Sequence, residues 1–300
     1  MHPPNNLQSR GHWLRARRSR PDVHNGRRAI WLCADDYGIS PAVNAAIRDL
    51  IACGRINATS VMVSAPSFEH AEAASLARLN SDTKRAALGL HITLTAPFAP
   101  MSASYAPLRD GEFLSLEKTL RAAITRRLKP ERLAAEIGTQ LRAFVAAFGY
   151  LPDFIDGHQH VQLFPQVRDA FLKVVAEAAP KAWVRQCGRP RSAMRLHRRK
   201  ELVLDILSVR FRSKARRLGI ATNPAFAGAY DFKMDFANTF PRFLAGLPDG
   251  GLIMCHPGHV DAELERLDPL THQREREFAY FNSDAFPKLL ADNGAALAQP

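Results

Sequence analysis

The stretch that decides the fold is residues 29–54, AIWLCADDYGISPAVNAAIRDLIACG. Its first six residues form a short apolar run, which predicts a buried strand. After a polar turn, Ser40 predicts a helix N-cap, Pro41 the first helical position and Gly54 the end of the helix. Residues 29–54 therefore predict one β-α unit with two adjacent aspartates at its junction.

The same alternation of apolar runs and amphipathic stretches continues along the chain. It predicts further strands at 60–65, 86–94, 153–157, 181–186 and 250–255, and helices at 68–79, 115–128, 130–148, 165–178, 195–219, 271–282 and 284–292. Repeated β-α units indicate an α/β fold built on a parallel sheet or barrel. No linker follows residue 28, so residues 29–300 are predicted to form a single domain.

Composition restricts the class of protein. The chain has 300 residues, 46% of them hydrophobic, which is enough for a large core. No apolar run approaches the roughly 18 residues of a membrane span, and the N-terminus carries arginines where a signal peptide needs an apolar block. Four widely spaced cysteines predict reduced thiols. We therefore expect a soluble, cytoplasmic protein without a transmembrane segment.

Basic residues concentrate in two tracts. Residues 10–28 hold seven Arg against one Asp, and residues 185–217 hold twelve Lys and Arg against two acidic residues, so the rest of the chain is mildly acidic despite a net charge of +12. The polar segment 1–28 is predicted to be a mostly disordered tail. Only one aromatic, Phe211, lies within 185–217, which disfavours specific binding of nucleic acid.

Polar residues directly follow several predicted strands. They are Asp35, Asp36, His91, Asp156, His158, Arg185 and His256. The carboxyl ends of parallel strands open onto one face, where substrates bind. We therefore expect these side chains to converge on one cleft.

The chemistry of this set favours a divalent metal. Two adjacent carboxylates that leave a buried strand repel each other unless a cation or a proton intervenes. One Asp with two His gives three protein ligands and leaves a position where water can bind and lose a proton. If Asp36, His91 and His158 are these ligands, Asp35 remains as a base for the water, and His256 can act as an acid to the leaving group.

Each residue alone has a structural alternative. Asp35 or Asp36 could cap the following helix, and His91 could be a satisfied core histidine. His256, within CHPG (255–258), could belong to a turn, and Arg185 could be a buried ion-pair partner. The metal site is favoured by the conjunction of these residues at strand ends.

Four motifs together resemble one known family. ADDYG (34–38), LGLHITL (88–94), DGHQHVQLFP (156–165) and CHPG (255–258), in that order, are similar to the YdjC-like carbohydrate deacetylases. The likeness spans roughly residues 29 to 260. It implies a distorted TIM-like (β/α) barrel that removes acetyl groups from N-acetylated sugars with one divalent metal ion, Mg²⁺ or Zn²⁺.

The resemblance also implies roles for single residues. The metal ligands would be Asp36, His91 and His158, with Asp35 as the catalytic base. His256 would assist protonation or stabilise the oxyanion.

Four further residues are predicted around this centre. Arg185 matches a strand-end arginine that faces the family's site, and Tyr37 would bring a hydroxyl close to the metal. We assign both, with His160, to substrate binding. Asp156 is expected to orient a ligand imidazole by accepting its other N–H.

The predicted reaction is hydrolysis of an acetamide by metal-bound water, which releases acetate and a free amine. An alternative is another metal-dependent hydrolase on a TIM-like barrel, a phosphoesterase or amidohydrolase. Such enzymes typically carry HxH at the first strand, where this chain has Asp-Asp. A weaker alternative is a basic protein that binds nucleic acid or an anionic surface.

The sequence does not identify the N-acetylated substrate. An oligosaccharide, a glycolipid and a nucleotide-linked sugar all fit, because the loops that would select among them, 95–112 and 186–197, do not identify a glycan. A homodimer is retained as the hypothesis for the oligomeric state.

Overall fold

The computed structural model describes residues 26–190 and 199–300. Residues 1–25 of the predicted tail, and residues 191–198 of the basic tract, lie outside the described residues. Arg28, which the sequence assigns to the tail, is the first residue of the first strand and pairs with Ala295.

A curled, parallel sheet forms the centre of the fold. The strands are β1 Arg28–Tyr37, β2 Ala58–Val61, β3 Ala87–Ile92, β4 Leu108–Arg109, β5 Glu112–Phe113, β6 Phe154–Gly157, β7 Trp183–Val184, β8 Phe226–Ala227, β9 Leu252–Cys255 and β10 Ala295–Leu297. Seven of them run parallel in the order β7-β6-β3-β2-β1-β9-β8, while β10 pairs with the start of β1 and β4 with β5. Their carboxyl ends therefore meet at one end of the sheet.

The two edges of this sheet come together. Val184 of β7 forms a parallel bridge with Thr222, and the Phe226 N–H of β8 donates to the Gly188 carbonyl at 3.0 Å. The sheet is thus rolled into an irregular barrel, closed by isolated bonds instead of a full strand ladder. The predicted fold, a distorted TIM-like (β/α) barrel within a single α/β domain, is confirmed.

Helices cover the outside of the sheet. They are α1 Pro41–Ala52, α2 His70–Arg78, α3 Leu116–Ile124, α4 Pro130–Phe148, α5 Val167–Ala178, α6 Arg199–Arg217, α7 Phe236–Leu244, α8 Ala262–Leu267, α9 His272–Asn282 and α10 Ala285–Asp292, with a 3-10 turn at His158–Leu163. Helix α1 begins as predicted, because the Ser40 side chain accepts the Val43 N–H. Ser40, and neither aspartate of the junction, thus supplies the cap.

The strands consist mainly of apolar residues because both faces of the sheet are buried. Phe154 of β6 stacks on Trp183 of β7 with ring centroids 4.5 Å apart. Gly89 of β3 makes room for this stack, since a Cβ there would lie 2.3 Å from the Phe154 ring. The four cysteines are free thiols, as predicted. Among the described residues, no helix is both long and apolar enough to span a membrane.

Candidate metal centre

Three buried side chains converge at the carboxyl ends of strands β1, β3 and β6. Asp36 lies near the end of β1, His91 near the end of β3, and His158 directly after β6. One possible ligand atom from each lies within 4.8 Å of the others. Asp36 Oδ1 is the common point, 3.0 Å from His158 Nδ1 and 3.4 Å from His91 Nε2.

The backbone turns Asp36 towards this point. Its φ is +69°, in the left-handed region that is unfavourable for a side-chain-bearing residue. The register of β1 against β2 shifts between Ala34 and Tyr37, so the strand is locally irregular at the aspartate. Such irregularities re-aim side chains next to active sites. Gln159 and His160, after His158, also have positive φ angles.

The far nitrogen of His91 is held by a carboxylate. His91 Nδ1 lies 2.6 Å from Asp156 Oδ1 and 3.1 Å from Ser60 Oγ. An N–H donated from Nδ1 to Asp156 leaves Nε2 directed to Asp36, and this nitrogen can bind a metal once its own proton is lost, the arrangement common for imidazole ligands of metals. Burial lowers the pKa of His91, but the charge of Asp156 outweighs it and raises that pKa to about 10. Asp156 thus lies in contact with His91, and its role in orienting a metal ligand stays a prediction.

Asp35, one residue before Asp36, has different partners. Both its oxygens accept from the Arg185 guanidinium at 2.6 Å, and the Ser60 hydroxyl donates to Oδ1 at 3.1 Å. Burial favours the neutral acid, yet the charges of Arg185 and His91 hold the pKa of Asp35 well below its usual range. Asp35 is therefore an ionised carboxylate outside the three-residue group.

Arg185 is buried and surrounded by acceptors. Besides Asp35, Nη2 lies 2.6 Å from Asp156 Oδ2 and 3.0 Å from Cys33 Sγ. Cys33, Asp35 and Asp156 form a second group with ligand-type atoms, but the guanidinium already supplies the positive charge among them. Only 1% of the Arg185 side chain is exposed, so its geometry matches the alternative of a buried ion-pair partner and does not support the predicted substrate contact.

Tyr37 points away from the three-residue group. Its hydroxyl donates to Glu72 Oε2 at 2.9 Å and accepts from Arg48 at 3.0 Å, on α2 and α1 respectively. Burial raises the pKa of Tyr37 above its usual value. The side chain has no exposed surface. The contacts of the hydroxyl are with Glu72 and Arg48, and they do not place it next to the three-residue group as expected.

His160 lies two residues after His158 but faces another way. Its Nδ1 is 3.5 Å from Cys187 Sγ, and its ring meets Phe226 edge-on at 5.6 Å. Burial, aided by the charge of Arg185, lowers the pKa of His160 to about 3, so the ring is neutral at physiological pH. Its assignment to substrate binding stays a prediction.

His256 follows β9 at the same end of the barrel. Its backbone N–H donates to Glu277 Oε2 at 2.6 Å, and its ring meets Phe232 edge-on at 5.8 Å. The ring Nδ1 is buried, and none of the described residues offers it a hydrogen bond. Burial lowers the pKa of His256, against the opposing charge of Asp36.

Helix α9 contributes buried charged residues that no motif in the sequence indicated. Arg274 Nη2 lies 2.7 Å from Asp36 Oδ2 and 2.8 Å from Asp268 Oδ2. Glu277 accepts from the Tyr230 hydroxyl at 2.6 Å as well as from His256. The buried face of α9 consists of Arg274, Glu277 and Phe281, which are spaced as on one side of a helix. Two charged residues on a face that is otherwise apolar were the sequence signal for this contribution.

Charge around Asp36 is balanced by these neighbours. Burial would raise the pKa of Asp36, but Arg274 and His158 lower it well below its usual value. The carboxylate is therefore ionised and offers Oδ1 to two imidazoles. One carboxylate oxygen and two ring nitrogens at this spacing fit a three-ligand site for a divalent metal.

Comparison with known proteins gives a consistent family. A family model described as YdjC-like protein matches residues 29–292. A carbohydrate deacetylase of Clostridium beijerinckii is 28% identical over 252 residues, which cover 81% of this chain and 87% of the relative. A chitooligosaccharide deacetylase of Klebsiella pneumoniae is 29% identical over 257 residues, covering 81% and 91%.

A solved structure has the same fold. It is that of a proposed cellobiose-phosphate cleavage protein from Enterococcus faecalis, superposed with a TM-score of 0.67 at 20% identity. The superposition covers 91% of this chain and 97% of the other. At this identity the match shows the barrel architecture alone.

Proposed function

The chain belongs to the YdjC-like protein family, and on that premise we propose that it is a metal-dependent hydrolase that removes the acetyl group from an N-acetylated sugar. The observation that carries the proposal is the placement of Asp36 Oδ1 between two imidazole nitrogens, beside a second, ionised aspartate that is not part of the group. Relatives of similar length are named as deacetylases of carbohydrates and chitooligosaccharides, which supports the sugar as substrate class.

Asp36, His91 and His158 would hold the metal ion. The chemistry that a divalent ion supplies in such a site is polarisation of a carbonyl and acidification of water. Two imidazoles favour Zn²⁺ over Mg²⁺, which prefers oxygen ligands. Both ions stay in the proposal because the resemblance suggests magnesium.

Asp35 would accept the proton of the attacking water. Arg185 keeps this carboxylate ionised and fixes its orientation through two hydrogen bonds of 2.6 Å. A carboxylate with a lowered pKa is a weak base, so it needs an acidified water, which a metal held by Asp36, His91 and His158 would supply. In this proposal Arg185 would position Asp35, in place of the predicted contact with substrate.

His256 would donate a proton to the departing amine. An amine is a poor leaving group unless its nitrogen is protonated as the C–N bond breaks. The His256 backbone is fixed by Glu277, while its ring nitrogen Nδ1 has no hydrogen-bond partner in the described part of the chain. Among the described residues this ring nitrogen is therefore left open to exchange a proton with a substrate.

The rival hydrolases of similar architecture are less well supported. Phosphoesterases with two metals need a second ligand set beside the first. The neighbouring group of Cys33, Asp35 and Asp156 already surrounds the Arg185 guanidinium. A single-metal site with one free carboxylate fits amide hydrolysis better.

The proposal is tested by acetate release from N,N′-diacetylchitobiose, an acetylated glycolipid and UDP-N-acetylglucosamine, each with free amine measured in parallel. The protein is treated with chelator and reloaded separately with Zn²⁺ or Mg²⁺. We expect equal amounts of acetate and amine from at least one substrate, loss on chelation and recovery with one metal. Hydrolysis of p-nitrophenyl phosphate without any deacetylation would instead support the phosphoesterase.

A further inference from the structure

We propose that Arg274 is a positioning residue of the metal centre, which holds the Asp36 carboxylate so that only Oδ1 faces the two imidazoles. This inference rests on the proposed metal site but not on the identity of the substrate. Arg274 lies outside the four sequence motifs, on helix α9, and reaches the centre from the C-terminal part of the chain.

The Arg274 guanidinium is fixed in one orientation. The side chain is fully buried; Nη2 lies 2.7 Å from Asp36 and 2.8 Å from Asp268, and Nε donates to the Leu270 carbonyl at 2.9 Å. The Gly258 N–H also donates to the Arg274 carbonyl at 3.1 Å, which ties the loop after His256 to the same helix. These contacts leave the guanidinium little freedom to follow a moving carboxylate.

The two oxygens of Asp36 are divided between different partners. Oδ1 lies close to His158 and His91, while Oδ2 accepts from Arg274. A carboxylate whose second oxygen is held by a guanidinium can give a cation only one oxygen. The left-handed backbone brings Asp36 to the centre, and Arg274 fixes its rotation there.

The charge of Arg274 works against its orienting effect. A guanidinium beside a cation site repels the cation, whereas a fixed carboxylate binds it with less loss of freedom. Asp268 lies 2.8 Å from the same Nη2 and neutralises part of that positive charge. We therefore infer that orientation outweighs repulsion and that Arg274 strengthens metal binding.

Helix α9 also fixes the predicted proton donor. Glu277, one turn after Arg274, accepts the His256 N–H at 2.6 Å and the Tyr230 hydroxyl at 2.6 Å. One helix thus holds both a metal-ligand candidate and the loop of the acid. Their separation is set by the i, i+3 spacing of two buried charged residues.

The test is calorimetric titration of Zn²⁺ into the metal-free full-length protein. For Arg274→Gln we expect affinity about 10-fold to 100-fold weaker, the usual cost of losing a partner that orients a ligand. For Arg274→Lys we expect about threefold weaker binding, because one ammonium group cannot replace both Nη2, which contacts Asp36 and Asp268, and Nε, which donates to Leu270. An Arg274→Gln variant that binds Zn²⁺ as tightly as the wild type, or more tightly, overturns the proposal.

Asn57→Ala is the matched control for loss of stability. Asn57 makes buried hydrogen bonds with Leu32 N–H and the Ile30 and Ala298 carbonyls at the other end of β1. This variant should lower the melting temperature and leave Zn²⁺ affinity within about twofold, since no ligand is reoriented. If it weakens binding as much as Arg274→Gln does, the effect is general destabilisation and the proposal is wrong.

If Arg274→Gln does not fold, the Zn²⁺ affinity of Arg274→Lys tests the proposal instead. An affinity equal to that of the wild type would contradict it. Metal titration needs no substrate. Failure of the inference is therefore distinguishable from failure of the proposed deacetylation, which the acetate assay reports separately.

Discussion

Asp35 and Asp36 are adjacent in the chain but lie in two different environments. Both oxygens of Asp35 accept from the guanidinium of Arg185, which directly follows β7. Asp36 gives one oxygen to Arg274 of α9 and keeps Oδ1 next to two imidazoles. The same residue type is thus an ion-pair partner at position 35 and a candidate metal ligand at position 36.

The difference shows that partners from distant segments decide the role of each carboxylate. A carboxylate with two occupied oxygens is poorly suited to bind a metal, and it can accept a proton only from an acidified water. One with a free oxygen among imidazoles is suited to the metal. The following predictions test this difference in role by substituting residues around Asp35 and residues around Asp36 separately.

The largest effect is expected from a change in the ligand group itself. His158→Ala should lower kcat/KM by about 10³-fold or more, because Lewis-acid stabilisation is worth several kcal/mol. Bound metal, measured by plasma mass spectrometry, should fall below one ion per chain. His160→Ala is the matched control in the same turn, since its Nδ1 faces Cys187. Equal metal loss in both variants would argue against the assigned ligands.

The next largest effect on activity is expected from substitution of His256, whose backbone is held by helix α9. His256→Ala should reduce kcat by about 10²-fold or more, the usual contribution of a general acid. Metal content should be unchanged, because His256 is not in the ligand group. Steady-state kinetics and metal analysis on the same sample check both statements. A variant with normal kcat would mean that another group, or solvent, protonates the amine.

A smaller effect is expected on the Asp35 side. Arg185→Lys should lower kcat by about 10-fold to 100-fold, because a lysine cannot hold both oxygens of Asp35. KM should change little, since Arg185 is buried away from solvent. If KM rises while kcat is kept, Arg185 contacts substrate after all, and the sequence-based assignment would be restored.

The smallest effect on catalysis is expected from Glu277→Gln, whose main consequence is for stability. Burial raises the pKa of Glu277 from 4.5 to about 7. The folded protein then holds a proton that the unfolded chain has lost, so stability falls as pH rises from about 4.5 to 7. The shift corresponds to about 3 kcal/mol.

Denaturant unfolding of the metal-free protein at pH 4.5 and pH 8 measures this contribution. The stability of the wild type relative to Glu277→Gln should decline by about 3 kcal/mol between the two values, because glutamine does not ionise. A difference that does not vary with pH would show that Glu277 is ionised throughout, with Tyr230 and His256 as sufficient donors.

Much of the barrel followed from local sequence. Helix α4 runs from Pro130 to Phe148, the predicted bounds, since a proline at its start and Gly149 at its end mark it. Strand β8, of two residues, and β10 were missed. Strands this short carry no periodicity, and only pairing with β9 and β1 identifies them.

The candidate site divides in the same way. The strand-end residues could be predicted because each follows an apolar run, and the structure brings Asp36, His91 and His158 together. Tyr37 and Arg185 could not be oriented from sequence, since a side chain next to the site can point away from it or lie under it. Arg274 was missed because its role depends on the packing of α9 against α1 and α7.

The central claim is that Asp36 binds a metal while Asp35 serves the reaction without binding it. Metal content and acetate release measured together for Asp36→Asn and Asp35→Asn test it most directly. We predict that Asp36→Asn loses both metal and activity, and that Asp35→Asn keeps one metal ion per chain while kcat falls by about 10²-fold to 10⁴-fold. Loss of the metal in Asp35→Asn, with retention in Asp36→Asn, would contradict the account.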